Sequence, residues 1–341
     1  MVVSLGPTLG NESEIAAALA LEADFRQPFG YRVQDHFAQF AIVDRLRRKM
    51  GKAAQVYVDL PSERPRIGIL DAELRLQPGQ RVRVYAAERG RAPDEVPIPA
   101  LLRFLPALQA GHRLLIRDGH TVLRLREATE SEAIAEVETT VESVATNNNI
   151  MFPDSAVRFE PIVEDDRRLL ERYRQASFMP DWVMLSLVTS IPQVQAARAS
   201  LAEIFGERTP RLMVKIETAK SVEQMQALLD ACEGLLVGRG DLGMTMPPER
   251  IPAIQEDVVL ACRRAGKPVL VATEYLQRFA ETGAPNRAEL SDLALAVRQQ
   301  ADGIVLTKET SGSPYALESV RLARRVIEVE LCRRKQANFD L

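Results

Sequence analysis

From residue 181 onward the sequence repeats one unit, a short apolar run followed by an amphipathic helix pattern. The runs are DWVMLSLV (181–188), RLMVKIE (211–217), GLLVGRG (234–240), PVLVAT (268–273) and GIVLTKE (303–309). Each is brief and almost continuously apolar, as a parallel strand covered on both faces must be. Between them SIPQVQAARASLAEIF, SVEQMQALLDAC, IPAIQEDVVLACRRA and RAELSDLALAVRQQ place apolar residues at helical spacing, and PYALESVRLARRVIEVELCRR follows the last run. Strands and helices that alternate in this way build a parallel sheet with helices over it. Three earlier runs, MVVSL (1–5), the stretch around LEADFRQPF (21–29) and AQVYVDL (54–60), bring the count to eight. Eight such units close a (β/α)8 TIM barrel, so the expected fold class is α/β.

Residues 69–160 break the rhythm. LRLQPGQRVRVYAAERG, HRLLIRDGHTVLRLREAT and AIAEVETTVESVAT alternate apolar and polar residues with period two, separated by turn residues. That pattern is antiparallel β. The expectation is a small, β-barrel-like domain at 69–160, inserted after the third strand of a barrel made from 1–68 and 161–341. Within the insert, the proline-rich RAPDEVPIPALLRF (91–104) reads as a loop.

A chain of 341 residues is long enough for both parts, and an apolar content of 46% supplies a full core. The net charge of -3 gives no basic surplus, which argues against a nucleic-acid partner. Cys232, Cys262 and Cys332 have no paired spacing, so neither a disulfide framework nor a zinc site is expected. No run approaches the length of a membrane span, and MVVSLGPTLG lacks the regions of a signal peptide. These features fit a soluble, cytoplasmic protein with no membrane partner.

In a parallel barrel, chemistry sits where the strands end. The polar residues there are Arg26, Asp59, Lys215 with Glu217, Arg239 with Asp241, Thr273 with Glu274, and Thr307 with Glu309. Lys215 and Glu217 stand two apart on a strand and point to the same side. Glu217 and Asp241 come from neighbouring strands, and two converging carboxylates can hold a hard divalent cation. Lys215 would add positive charge for a phosphoryl group or an oxyanion. The glycines around Asp241 would let backbone N–H groups approach an anion. Taken singly, Lys215 and Glu217 also fit a salt-bridged rim, and GRGDLG a tight turn. Cation, acid and hydroxyl recurring on four strand ends point to a site.

The segments VKIET, VGRGDLGM, GKPVLVATEYL, NRAELSDLALAV and GIVLTKETSGSPYALESV, in this order, resemble the pyruvate kinase family. SLGPTLGNE, DFRQPF and VYVDLPSERPRIG extend the likeness to the N-terminal strands, and the insert stands where that family carries its lid. The resemblance implies that Glu217 and Asp241 ligate Mg²⁺ or Mn²⁺, and that Lys215 stabilises the phosphoryl group in flight. It implies that the N–H groups of Gly240 and Asp241 hold the carboxylate of phosphoenolpyruvate or pyruvate. Thr273 would sit beside the methylene carbon that is protonated. Arg26 would pair with phosphate, and Arg66 would belong to the nucleotide and phosphate region.

The departures from the family pattern fall into two groups. Of the side chains that help bind potassium, the Asn and Ser of strand two are Pro28 and Gly30, and the Thr of strand three is Leu60; Asp59 remains. Where the family has a Glu, this chain has Arg64, which is expected to replace the potassium ion. On the nucleotide side, the phosphate-binding Lys of the lid is Asn148, a His is Tyr31, and a Gln is Glu274. Each change weakens a site for a polyphosphate, which needs cations, so use of ADP or ATP stays open. The sequence ends after the eighth barrel helix, so sugar-phosphate effector control is not expected; a homodimer through the last helices fits the layout.

Three readings follow. The first is a Mg²⁺-dependent phosphotransferase of phosphoenolpyruvate and pyruvate. The second keeps the metal and the enolate without the nucleotide, as a lyase such as an oxaloacetate decarboxylase or an aldolase. The third is a non-catalytic regulatory relative, against which the retention of Lys215, Glu217, Asp241 and Thr273 argues. Fold alone does not choose among them.

Overall fold

The computed structural model describes residues 1–29 and 36–337. Eight parallel strands close into a barrel. They are β1 (Val2–Ser4), β2 (Asp24–Pro28), β3 (Val56–Leu60), β4 (Trp182–Leu185), β5 (Arg211–Ile216), β6 (Gly234–Gly238), β7 (Val269–Ala272) and β8 (Gly303–Leu306). Each pairs with its sequence neighbours, and β1 pairs with β8 to close the ring. All eight runs singled out in the sequence are barrel strands.

The helices between them form where local chemistry starts and stops them. Ile251–Ala265 begins on Pro252, whose missing N–H is harmless in the first turn, and stops at Gly266, whose φ of 64° is left-handed. Its face Ile254, Val258, Cys262 turns inward. Arg287–Arg298 is capped by Asn286, which accepts from Ala288 N at 3.0 Å. The pattern SVEQMQALLDAC is split rather than continuous: Ala219–Glu223, capped by Thr218, breaks at Gln224 before Met225–Ala231.

The barrel interior is layered by the period of two along each strand. Val2, Tyr57, Trp182, Met184, Met213, Leu236, Leu270 and Val305 form one buried apolar cluster. The Tyr57 and Trp182 rings stack at 6.0 Å. Two residues further along their strands, the same inward face carries Ser4, Asp59, Ser186, Lys215 and Gly238. The apolar plug therefore ends in a polar layer at the C-terminal mouth.

By contacts the chain divides into two compact units. The barrel unit is Met1–Ser62, Glu160–Leu242 and Pro248–Leu341; the second is Glu63–Phe159 with Gly243–Pro247. The second unit is a curled six-stranded sheet, in the order Glu95–Pro97, Arg81–Tyr85, Glu132–Thr140, Thr121–Ala128, Arg113–Ile116, Ile150–Met151. Its period-two pattern buries Leu123 and Leu125 and turns Arg124 and Arg126 outward, opposite Glu138 and Glu136. The RDG of its central hairpin turn has three successive left-handed residues, with φ of 53°, 56° and 87° at Arg117, Asp118 and Gly119.

One expectation here fails. RAPDEVPIPALLRF is not a loop throughout: Glu95–Pro97 pairs with Arg83–Tyr85, and Leu101–Phe104 forms a helical turn. Val96, Ile98, Leu101 and Phe104 are buried, and that apolar spacing outweighs the prolines. Pro97 is tolerated because its strand lies at the sheet edge, where a missing N–H breaks no ladder bond.

Candidate active site

The polar layer is one connected ladder of charges. Arg26 on β2 donates through Nε to Asp59 Oδ2 at 2.7 Å, and its Nη2 lies at 2.7 Å from the same oxygen. Its Nη1 donates to Ser4 Oγ at 2.8 Å. The other oxygen of Asp59 accepts from Lys215 Nζ at 3.2 Å. Lys215 Nζ also donates to Ser186 Oγ at 2.8 Å and reaches Glu217 Oε1 at 2.8 Å. The second oxygen of Glu217 accepts from the backbone N–H of Leu187 at 2.8 Å. Leu187 holds a left-handed φ of 56° at the end of β4. Four strands thus contribute to one buried, hydrogen-bonded set, and Ser4 on β1 makes a fifth.

Burial and charge compete in this set, and charge prevails. Burial pushes the Asp59 carboxyl up, but Lys215 and Arg26 hold it below the usual carboxylate range. Burial likewise pushes the Lys215 ammonium down, while Asp59 and Glu217, with a smaller pull from Asp241, raise it above its ordinary value. Both are charged at neutral pH. Breaking such a pair on one side leaves the other charge buried without its partner, at a cost of about 3–5 kcal/mol.

Glu217 and Asp241 present hard oxygen donors suited to Mg²⁺, which typically takes one or two protein carboxylates. Gly238 makes the room: a Cβ there would stand 2.8 Å from Glu217 Cγ. Only glycine on β6 lets the Glu217 side chain lie across it. Asp241 is in the first turn of the helix Arg239–Thr245, which follows β6 directly. Its charge is near enough to act on Lys215. Among the described residues, no group of three or more His, Cys, Asp and Glu side chains converges as a complete metal cage.

The opposite side of the mouth is built differently. Thr273 and Glu274, just after β7, both have left-handed φ, 75° and 60°. For a β-branched residue that is a strained conformation, of about 1–3 kcal/mol. Thr273 Oγ1 accepts from Gly240 N at 2.9 Å. Arg239 donates to the Thr273 carbonyl and to Ala272 O (3.3 Å), pairs with Asp292 at 2.7 Å, and lies 4.1 Å over the Tyr275 ring. Glu309, buried, accepts from Tyr275 N at 3.2 Å with one oxygen and from Thr307 N at 2.6 Å with the other. Arg239 and Glu309 therefore hold backbone in place.

The sequence-predicted residues sort accordingly. Arg26, Asp59, Lys215 and Glu217 are in direct contact, with Asp241 close to Lys215, and Gly240 meets Thr273. The Gly240 N–H is engaged by the Thr273 hydroxyl, which a substrate carboxylate would have to share. Arg64 and Arg66 belong to the second unit. Arg66 donates to Asn147 O at 3.0 Å, and Asn148 Oδ1 accepts from Ala145 N at 2.8 Å, closing its own loop. Gly30 and Tyr31 lie outside the described residues. Sequence reasoning missed Ser4, Ser186, Asp292 and the Leu187 amide. Ser4 and Ser186 were recoverable, since each stands two residues beyond an inward apolar residue. Asp292 lies on a helix, away from any strand end.

Residues 1–320 match a family model described as "Pyruvate kinase, barrel domain". A pyruvate kinase of Agrobacterium vitis is 29% identical over 333 residues, which cover 96% of this chain and 68% of the relative. One of Mycobacterium tuberculosis is 30% identical over 332 residues, covering 96% and 69%. Among solved structures, a crystal structure of a pyruvate kinase from Cryptosporidium parvum superposes with a TM-score of 0.86 at 24% identity, covering 96% of this chain and 68% of its own. At that identity the superposition bears on the fold.

Proposed function

The chain belongs to the pyruvate kinase family, and from that premise we propose that it is a Mg²⁺-dependent phosphotransferase. It would move a phosphoryl group between phosphoenolpyruvate and a nucleoside diphosphate without a potassium ion. The observation that carries this reading is the buried ladder Arg26–Asp59–Lys215–Glu217 beside Asp241.

Glu217 and Asp241 would hold the divalent ion, which when bound supplies Lewis-acid charge to phosphoryl and enolate oxygens. The chain's own residues do the rest. Lys215, kept protonated between two carboxylates, neutralises the phosphoryl group as the bond to the enol oxygen breaks and the bond to the acceptor oxygen forms. Arg26, fixed by Asp59 and Ser4, orients the phosphate. The released enolate takes a proton at its methylene carbon from the Thr273 side. Because Gly240 N–H already donates to Thr273 Oγ1, the hydroxyl proton is directed away from that contact; solvent restores it after transfer.

The reading without potassium rests on Asp59. Both of its oxygens are engaged by Arg26 and Lys215, so its charge is already matched by two cations. Arg64 supplies a further fixed positive charge in the segment after β3. A coupled assay with phosphoenolpyruvate, Mg²⁺ and a panel of nucleoside diphosphates, in sodium and in potassium salts, tests both points. Turnover unchanged by potassium is expected. Strict potassium dependence would remove the role of Arg64, and no turnover with any diphosphate would remove the kinase reading.

One observation favours the second reading, a metal-dependent pyruvate-enolate lyase. At the position where the family resemblance places a phosphate-binding Lys, the side chain of Asn148 is consumed by its own turn. Decarboxylation of oxaloacetate by a chain inert toward every diphosphate would select it.

A further inference from the structure

We propose that Arg239 and Asp292 are positioning residues for the reaction, holding Thr273 in the orientation from which the enolate is protonated. This rests on the reading of Thr273 given above.

The turn at Thr273 is fixed at three points. Its hydroxyl accepts from Gly240 N. Its carbonyl accepts from Arg239 Nη2. The next residue but one, Tyr275, is held through its N–H by Glu309. A β-branched residue at a left-handed φ, as Thr273 is, stays so only under such restraint. Arg239 reaches several parts of this turn at once. Its planar fork addresses the carbonyls of Ala272 and Thr273, the Asp292 carboxylate and Gln255 Oε1 together, while its face covers the Tyr275 ring. A lysine, with one nitrogen, cannot serve acceptors in a fixed planar array.

Asp292 gives the fork its direction. It stands on the helix Arg287–Arg298, and its Oδ1 is 2.7 Å from Arg239 Nη1. Its charge also offsets that of Arg239, so that the guanidinium serves the backbone rather than drawing an anionic substrate to the wrong side of the mouth. Neither residue need touch substrate; both act through Thr273.

The test is Asp292→Asn in the full chain, with two readouts. The first is amide hydrogen exchange at Gly240 and Tyr275, which should accelerate by about tenfold or more as the clamp loosens. The second is steady-state turnover of phosphoenolpyruvate, where kcat should fall by about 10- to 100-fold with KM and Tm little changed. Asp292→Glu should recover part of the rate. Arg239→Lys, which keeps the charge and loses the fork, should reproduce both effects and serves if Asp292→Asn fails to fold. Glu330→Gln, which removes an ion pair to Arg298 on the same helix, should move neither readout. Unchanged exchange at Gly240 and Tyr275 in both Asp292→Asn and Arg239→Lys would overturn the proposal. So would a kcat loss equalled by Glu330→Gln. If the wild-type chain turns over no substrate, the functional reading falls, and hydrogen exchange still decides whether the clamp exists.

Discussion

The two sides of the barrel mouth use the same residue types for different ends. On the side of β2 to β5, Arg26 and Lys215 face Asp59 and Glu217, and the charges answer one another. On the side of β6 to β8, Arg239 and Glu309 turn to backbone: the first to the carbonyls of Ala272 and Thr273, the second to the amides of Tyr275 and Thr307. The first arrangement keeps strongly charged groups in a buried place, where an anionic substrate can exchange with the carboxylates for Lys215 and Arg26. The second spends its charges on holding an unfavourable turn. An acidic or basic residue at a strand end is therefore not a site residue by position alone: Lys215 and Arg26 are matched by carboxylates that face the mouth, whereas Arg239, though paired with Asp292, spends its other contacts on the carbonyls of Ala272 and Thr273.

The comparison breaks most visibly at Lys215. Lys215→Met removes the cation on which Asp59 and Glu217 both depend. Turnover should fall by about a thousandfold, and urea unfolding should show a loss of about 3–5 kcal/mol. A variant that keeps more than a tenth of the wild-type rate would show that the ladder is only a structural ion pair.

Asp166 sharpens the same comparison by a smaller effect. It is as buried as Asp59, at 5% exposure against 4%, yet among the described residues neither Arg26 nor Lys215 pairs with it. Burial pushes its carboxyl from an ordinary 3.8 up to about 7; the hydrogen bond from Val163 N opposes this, and the charges of Asp165 and Asp59 add to it. The folded chain then holds a proton that the unfolded chain releases, so this group's contribution to stability falls as pH rises from about 4 to 7. Asp166→Asn should remove that slope and gain on the order of 2 kcal/mol at pH 8. Urea midpoints at pH 5 and pH 8 measure it; an unchanged slope in Asp166→Asn would mean that the carboxyl ionises freely in the folded protein.

Much of this was legible in the sequence. The strand and helix periods place all eight barrel strands, and the period of two puts Lys215 and Glu217 on one face. What the sequence did not separate is the job each polar strand end performs. Arg239 and Glu309 looked like members of the same constellation as Lys215, because strand-end position is encoded by spacing and partner choice is not. Asp292 was invisible for the same reason: it meets Arg239 only once the helix Arg287–Arg298 has packed on β8. The RAPDEVPIPALLRF segment misled through its prolines, whose cost depends on whether a strand is at an edge, and that is a property of the sheet order.

Both proposed readings, phosphotransferase and lyase, require the barrel mouth to stabilise the enolate of pyruvate whether or not a nucleotide is bound. Proton exchange at the pyruvate methyl group in D₂O, followed by NMR with Mg²⁺ and phosphate present and nucleotide absent, tests it most directly. Exchange is expected to depend on the metal, to stop on addition of a chelator, and to be lost in Lys215→Met. No exchange with any divalent metal or anion would contradict it and leave the ladder as a structural element of the barrel.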